Sequence, residues 1–265
     1  MKQPANVTVL LSVYNGSSSL ERCLGSIASQ TFQAFAIVCV DDGSTDNSLE
    51  VLKRWQKKLV SRLIILRNQK NIGLTKSLNK GLHVIRTPYT ARVDTDDWWD
   101  REKLAKQVAF LEQNSDYGVV GCNYINVGSS GEQKVVLNET DTAIRRDIIK
   151  RNPFAHSCVV FRTNLIQKLG GYDNSIRYGQ DYDLWLRCYP FTKFYNLQEF
   201  LCHRTVGRGI SVEKQRQQMI QGIKTQIKYI RKYRLPIVNY IYLLELLGLV
   251  VTPNFIKSLK RKVFS

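Results

Sequence analysis

The sequence predicts an α/β protein built on an open, doubly wound, mostly parallel sheet and followed by a basic helical extension. Three observations lead there. Short apolar runs alternate with amphipathic stretches from the start to Cys122. Acidic, turn-forming residues follow the second and the fourth of those runs. From residue 212 the chain carries eleven Lys or Arg against two Glu, a net +9 within a protein of net +17.

The elements follow in order. Residues 7–13, VTVLLSV, are almost wholly apolar, the pattern of a strand covered on both faces. Leu20, Leu24, Ile27 and Ala28 share one side of a helix over 18–30. Residues 35–40 read as the second strand. DGSTDNS then supplies a turn and a cap for the helix SLEVLKRWQKKL. A short strand over 62–66, a helix over 75–84 and a strand over 89–93 continue the alternation. Leu104, Val108 and Leu111 mark the buried side of a helix over 101–113, and 117–122 is a further strand. Strands that alternate with helices predict βαβ units, with ligands beyond the carboxyl ends of the strands.

The middle is less regular. Residues 123–140 are polar and contain glycine, so a loop or hairpin is expected. A helix over 141–150, a strand over 156–161, a loop at GGYDNSIRYGQ and a helix over 181–188 follow. Beyond it, Met219, Ile220, Ile223, Ile227 and Ile230 form one helical stripe among basic residues. The next segment, LPIVNYIYLLELLGLV, is apolar but interrupted by Asn239 and Glu245. A helix at a membrane interface, on the core or against a second subunit of a homo-oligomer all suit it.

A chain of 265 residues accommodates one large domain with an appendage, divided here into 1–211 and 212–265. The six cysteines form no CxxC pair, which suits a reducing, cytoplasmic compartment. The first residues lack a secretion signal, and no apolar run reaches the ~18 residues of a spanning helix. The basic extension suits an anionic partner: nucleic acid, a phosphorylated substrate or the inner membrane surface.

Three acidic groups carry the chemistry. Asp41-Asp42-Gly43 ends the second strand. A simple turn explains Gly43, whereas a strand-end carboxylate can also accept hydrogen bonds from a base edge. In ARVDTDDWWD, Asp94 and Asp96 share a side if the backbone is extended. They can hold Mg²⁺ or Mn²⁺ against a diphosphate, because hard cations take oxygen ligands and keep bound phosphate. Asp97 is an alternate ligand, and Asp100 is a helix cap. In GQDYDLWLR, Asp181 is placed for a general base, and Asp183 can tie Arg187 one turn on. His83, His156 and His203 match no metal-binding spacing, and no phosphate loop is present. Trp98, Trp99 and Trp185 lie beside acids that repel a nucleic-acid backbone, so nucleic acid is an unfavoured partner.

Together VTVLLSVYNG, VDDGSTD, NIGLTKSLNKGL, ARVDTDDWW, GGYD and GQDYDLWLR resemble family 2 glycosyltransferases over about 6–211. The resemblance implies the GT-A nucleotide-sugar-binding fold. It implies that Tyr14 packs on the base and that Asp41 hydrogen-bonds it. Arg92 steadies the pocket, Asp94 and Asp96 contact ribose and the metal-bound diphosphate, and Asp181 is the catalytic base. The expected reaction is an inverting, non-processive sugar transfer from a UDP- or dTDP-linked donor to a glycan or lipid-linked acceptor. Donor selectivity is expected from 123–157 and 171–181. A non-catalytic nucleotide-sugar-binding or nucleic-acid-binding module is the competing expectation. The chain lacks the QxxRW motif of processive synthases. Val206 also stands where many relatives carry a histidine.

Overall fold

A computed structural model of the chain describes residues 6–207 and 215–236, with Tyr240 and Leu243. The strands are β1 (Val7–Val13), β2 (Phe35–Asp41), β3 (Leu63–Arg67), β4 (Tyr89–Arg92), β5 (Trp98–Trp99), β6 (Tyr117–Gly128), β7 (Gly131–Val135), β8 (Val160–Arg162) and β9 (Lys193–Thr205). The helices are α1 (Ser17–Ala28), α2 (Ser48–Leu59), α3 (Leu74–Val84), α4 (Lys103–Gln113), α5 (Asp141–Asp147), α6 (Thr163–Lys168), α7 (Gln180–Cys188) and α8 (Gln215–Lys232).

All strands join one sheet in the order β3-β2-β1-β4-β8-β6-β9-β5, with β7 folded back on β6. The first four run parallel, as expected from their apolar runs and helical crossovers. Beyond β4 the sheet is mixed. β8 lies antiparallel between β4 and β6, and β9 pairs parallel with β6. In β1 the side chains divide by parity: Val7, Val9, Leu11 and Val13 enter one core and Leu10 the other. The first core also takes Leu20, Leu24 and Ile27 of α1 and Leu104, Val108 and Leu111 of α4. The second takes Leu78 and Leu82 of α3 with Leu184 and Trp185 of α7.

Of the loop or hairpin expected over 123–140, the hairpin forms, because β6 runs on to Gly128 and turns into β7. Other expectations change. Residues 156–158 form a 3-10 turn instead of the start of a strand, and α6 follows β8 at once. β9 had no expectation. Its period-2 pattern is broken by exposed Gln198 and Glu199, where the pairing with β6 also shifts register. Trp98 and Trp99 form a two-residue strand against the end of β9, which places the acidic segment beside that edge.

The helix expected from the 219–230 stripe is α8. Ile223 and Ile230 are buried in the second core and Ile227 packs on it, but Ile220 is exposed. Tyr229 completes the buried face, and its hydroxyl donates to Asp183 Oδ1 at 2.9 Å. Asp183 also accepts from Lys228 Nζ at 3.0 Å and Arg187 Nε at 2.8 Å. The expected Asp183–Arg187 tie is therefore one arm of a larger junction. Most of 235–250 lies outside the described residues, although Leu243 is buried in the second core.

Ile230→Ala removes a fully enclosed side chain from this junction. Equilibrium urea unfolding should show a loss of about 2–4 kcal/mol. A loss below about 0.5 kcal/mol, the range of surface substitutions, would mean that α8 is not part of the cooperative core.

Candidate functional site

The first part of the site lies where β1 and β2 end. Two loops are laced together there. Ser44 Oγ accepts from Asn15 N at 3.1 Å, Ser48 Oγ from Gly16 N at 2.9 Å and Asp46 Oδ2 from Ser17 N at 3.0 Å. Asn15 Oδ1 accepts in return from Thr45 N at 2.8 Å, and Asn15 takes the left-handed backbone that Asn tolerates, φ 51°. The lacing leaves Tyr14 standing out, 49% exposed. Gly43 is required on the other loop: its φ is 73°, and a Cβ would come within 2.5 Å of the Lys70 carbonyl carbon.

The paired aspartates divide the work. Asp42 accepts from Asn68 Nδ2, Ile72 N and Gly73 N at 2.8–2.9 Å, so it fastens the loop before α3. Asp41 is wholly buried, and its Oδ1 accepts from Ser44 N at 3.0 Å. Its Oδ2 has no hydrogen-bond partner among the described residues, although Arg67 Nε lies 3.2 Å away in ion-pair range. An acceptor buried in this way carries a cost that a donor edge of a ligand would remove.

The second part follows β4. The strand ends at Arg92, so Asp94 and Asp96 come together in a turn closed by Asp97 N to Asp94 O, and not by strand alternation. Arg92 is fully buried and pairs through Nη2 with Asp94 Oδ1. Asp94 also accepts from Ser157 Oγ at 3.1 Å on Oδ2, while its own N donates to that Oγ at 2.9 Å. Burial alone would raise the Asp94 carboxyl, but the Arg92 charge and hydrogen bond outweigh it and bring it down to about 2. Asp96 moves the other way, raised by burial and then by the charge of Asp94. Asp97 is pushed up to about 7 by burial and by both neighbours. It is spent on structure, since it accepts from Thr205 N at 2.8 Å.

A divalent cation suits this turn. The charge of Asp94 adds to the cost of ionising Asp96, and a positive ion beside the pair would offset it. No group of three or more potential protein ligands is gathered among the described residues. The residues that could contribute oxygen ligands here are Asp94 and Asp96, and an ion held by two carboxylates takes its other ligands from elsewhere. His203 stacks on Trp98 at 5.1 Å with its Nδ1 buried, so it does not substitute for the histidine replaced by Val206.

The third part is Asp181. Gly179, at φ 70°, turns the chain into α7 and puts Asp181 in its first turn. Asp181 opens on a cavity of about 230 Å³ lined also by Tyr124, Asn152, His156 and Arg204. Arg204 ties this cavity to the acidic turn, with Nε 4.0 Å from Asp97 Oδ2. Burial raises the Asp181 carboxyl, and a 2.7 Å hydrogen bond from Asn152 Nδ2 to Oδ2 opposes the rise. His156 meets the Tyr172 hydroxyl at 2.9 Å, and burial together with Arg92 lowers its pKa to about 3, so it is neutral.

Asn152, Ser157, His156 and Arg204 were not picked out from the sequence as site residues. Only His156 belongs to a residue type that invites the question, and its spacing gave no partner. Ser157 and Asn152 act through contacts 63 and 29 residues distant, which no local pattern encodes.

Comparison with known proteins shows the family and the fold. The glycosyl transferase family 2 pattern matches residues 8–170. The amylovoran biosynthesis glycosyltransferase AmsE of Erwinia amylovora is 37% identical over 184 residues, 68% of either chain. The putative glycosyltransferase EpsE of Bacillus subtilis is 29% identical, covering 92% of this chain and 88% of its own. Among solved structures, S. aureus TarS 1-349 in complex with UDP-GlcNAc superposes with a TM-score of 0.68 at 18% identity, covering 92% of this chain and 80% of TarS 1-349. A mannosyltransferase from Pyrobaculum calidifontis in complex with GDP-Man and Mn²⁺ gives 0.67 at 19% identity, with coverages of 85% and 65%. In another TarS 1-349 structure the match spans 64% of that chain. The fold is GT-A.

Proposed function

Because the chain belongs to glycosyl transferase family 2, we propose that it transfers a sugar from a nucleoside-diphosphate donor to a glycan or lipid-linked acceptor in surface polysaccharide synthesis. The observation that carries this reading is the Asp181 cavity, joined through Arg204 to the Asp94–Asp97 turn. A base and a diphosphate site must face one reacting centre for direct displacement.

Tyr14 packs on the donor base, and Asp41 Oδ2, which has an ion-pair contact with Arg67 but no hydrogen bond among the described residues, accepts from the base edge. UDP and dTDP both offer an N–H there. Asp94, held ionised and oriented by buried Arg92, takes the ribose side, and Asp96 with Asp94 holds Mg²⁺ or Mn²⁺. The ion, when bound, offsets charge on the departing diphosphate. Asp181 removes the acceptor hydroxyl proton, and that oxygen bonds to the anomeric carbon as the bond to the diphosphate oxygen breaks. Attack from the face opposite the leaving group inverts the anomeric centre. The proton then passes from Asp181 to solvent. The relatives' names support polysaccharide synthesis as the setting, and UDP, UDP-GlcNAc and GDP-Man in related structures support a nucleotide-sugar donor.

We further propose that residues 1–211 carry the donor chemistry and that the basic extension brings the protein to the inner membrane surface. On α8 and just beyond it, Lys224, Lys228, Arg231, Lys232 and Arg234 are exposed. No helix among the described residues is long and apolar enough to cross a membrane. Replacing Lys224, Arg231, Lys232 and Arg234 with Gln should release the full-length protein from vesicles containing anionic lipid. Unchanged co-sedimentation would remove the electrostatic docking.

Donor turnover should be read over a nucleotide-sugar panel with Mg²⁺ or Mn²⁺. Asp181→Asn should lower kcat by about 10²–10⁴, the span of a lost general base, with donor affinity retained. Asp96→Asn, or EDTA, should weaken donor binding instead. Wild-type-like turnover by Asp181→Asn would remove it as the base.

The pH profile gives a separate check. Asp181 reacts only as the carboxylate, so the rate rises as pH climbs through its elevated pKa. Asn152→Ala takes away the hydrogen bond that holds that value down. The rising limb should therefore move to higher pH, because the carboxylate loses a donor that stabilises its charged form. A profile that only drops in height would show that Asn152 does not tune Asp181.

A further inference from the structure

A second cavity of about 220 Å³ adjoins the one at Asp181. Both are bordered by Tyr124, Leu137 and Asn152. Asn152 is the partition, since its amide is the group hydrogen-bonded to Asp181. Together the two reach the roughly 300–1,000 Å³ of small-ligand sites. One wall of the second cavity is apolar, made by Val135, Val136, Ile144 and Pro153. Val136 is 66% exposed there, an aliphatic surface suited to the C–H face of a sugar ring.

The rim has a different character. Arg146, Lys150 and Arg151 converge on Asp147, at 3.6, 3.3 and 3.1 Å. Asp147 also accepts from Asn138 Nδ2 at 2.9 Å, chiefly for which its carboxyl lies below the usual range and stays ionised. Arg146 and Arg151 alone outnumber Asp147 two to one, so the two guanidiniums leave the rim with excess positive charge. The side chains of Arg146 and Arg151 are 70% and 66% exposed, and Arg151 lines the cavity. Asp94 and Asp96, which take the donor diphosphate in the proposed reading, are not among the residues that line it.

We propose that this second cavity is an acceptor subsite selective for a phosphate-bearing glycan. The sugar next to the reacting one lies on the Val135–Val136–Pro153 wall, and its phosphate meets Arg146 and Arg151 at the rim. Arginine suits that task because its planar fork pairs with phosphate oxygens in two parallel hydrogen bonds. The assignment rests on the donor and base sides proposed above. It explains a cationic rim that proton removal by Asp181 does not need.

Equilibrium binding tests it without turnover. Full-length protein with EDTA is titrated with octyl N-acetylglucosaminide, octyl diphospho-N-acetylglucosamine and a glucosylated glycerol-phosphate oligomer. At least one phosphorylated probe should bind about tenfold more tightly than the neutral glycoside, as a charge-assisted contact provides. Arg146→Gln with Arg151→Gln should abolish that preference, and Val136→Glu should weaken it, with donor binding in Mg²⁺ unchanged. Preference for the octyl diphosphate identifies a lipid-carrier source, and preference for the oligomer a polymer source. Equal binding of all three probes, or a preference that survives the double substitution, overturns the proposal. Separately, a wild-type protein that binds no nucleotide sugar in Mg²⁺ would refute the donor assignment while leaving these acceptor-probe results readable.

Discussion

The site depends on a guanidinium with no exposure to solvent. Arg92 ends a central strand of the sheet, and its pairing with Asp94 compensates a charge that would otherwise be buried unmatched. Removing Asp94 would leave the buried guanidinium without its partner, so Asp94 is held by more than local geometry. Asp94 in turn binds Ser157, in the 3-10 turn that leads to β8. The parallel half of the sheet is thereby fixed to the mixed half at the point where their chemistries meet.

This arrangement explains how one short turn carries carboxylates of opposite behaviour. Asp94 stays charged because its partner is cationic. Asp96 and Asp97 rise because burial and neighbouring negative charge work against ionisation. A cation and a diphosphate are complementary to that pattern, as they bring positive charge to one side and consume it on the other. Asp181 is also raised by burial, and its side chain is hydrogen-bonded by the neutral amide of Asn152 and forms no ion pair among the described residues, an environment that suits a proton acceptor.

The helix α8, beyond the acidic motifs, belongs to the same structure. Asp183, two residues after Asp181, is fully buried and draws Lys228 and Tyr229 of α8 onto α7. The start of α7 is thus clamped from behind. A composition change at 212 marks a change of surface, whereas the packing of Tyr229 and Ile230 continues the core.

The sequence by itself determined the parallel half. Strands that are apolar throughout and helices with one apolar side have few ways to bury both, and the carboxylates at the ends of β2 and β4 then fall on one edge. Asp41, Asp94 and Asp96 could be placed at that edge for that reason, whereas Tyr14 and Asp181 were singled out through motif resemblance. Tertiary structure decided the rest. β9 was hidden by its polar bulge, and only its pairing shows that Thr205 occupies Asp97. It also decided that Asp42 is a fastener while Asp41 keeps an oxygen with an ion-pair contact but no hydrogen bond among the described residues, because identical neighbours in sequence point to different surroundings. Asn152 and Ser157 acquire their roles from contacts across the chain, and hydrogen bonds between distant segments leave no periodic trace in sequence.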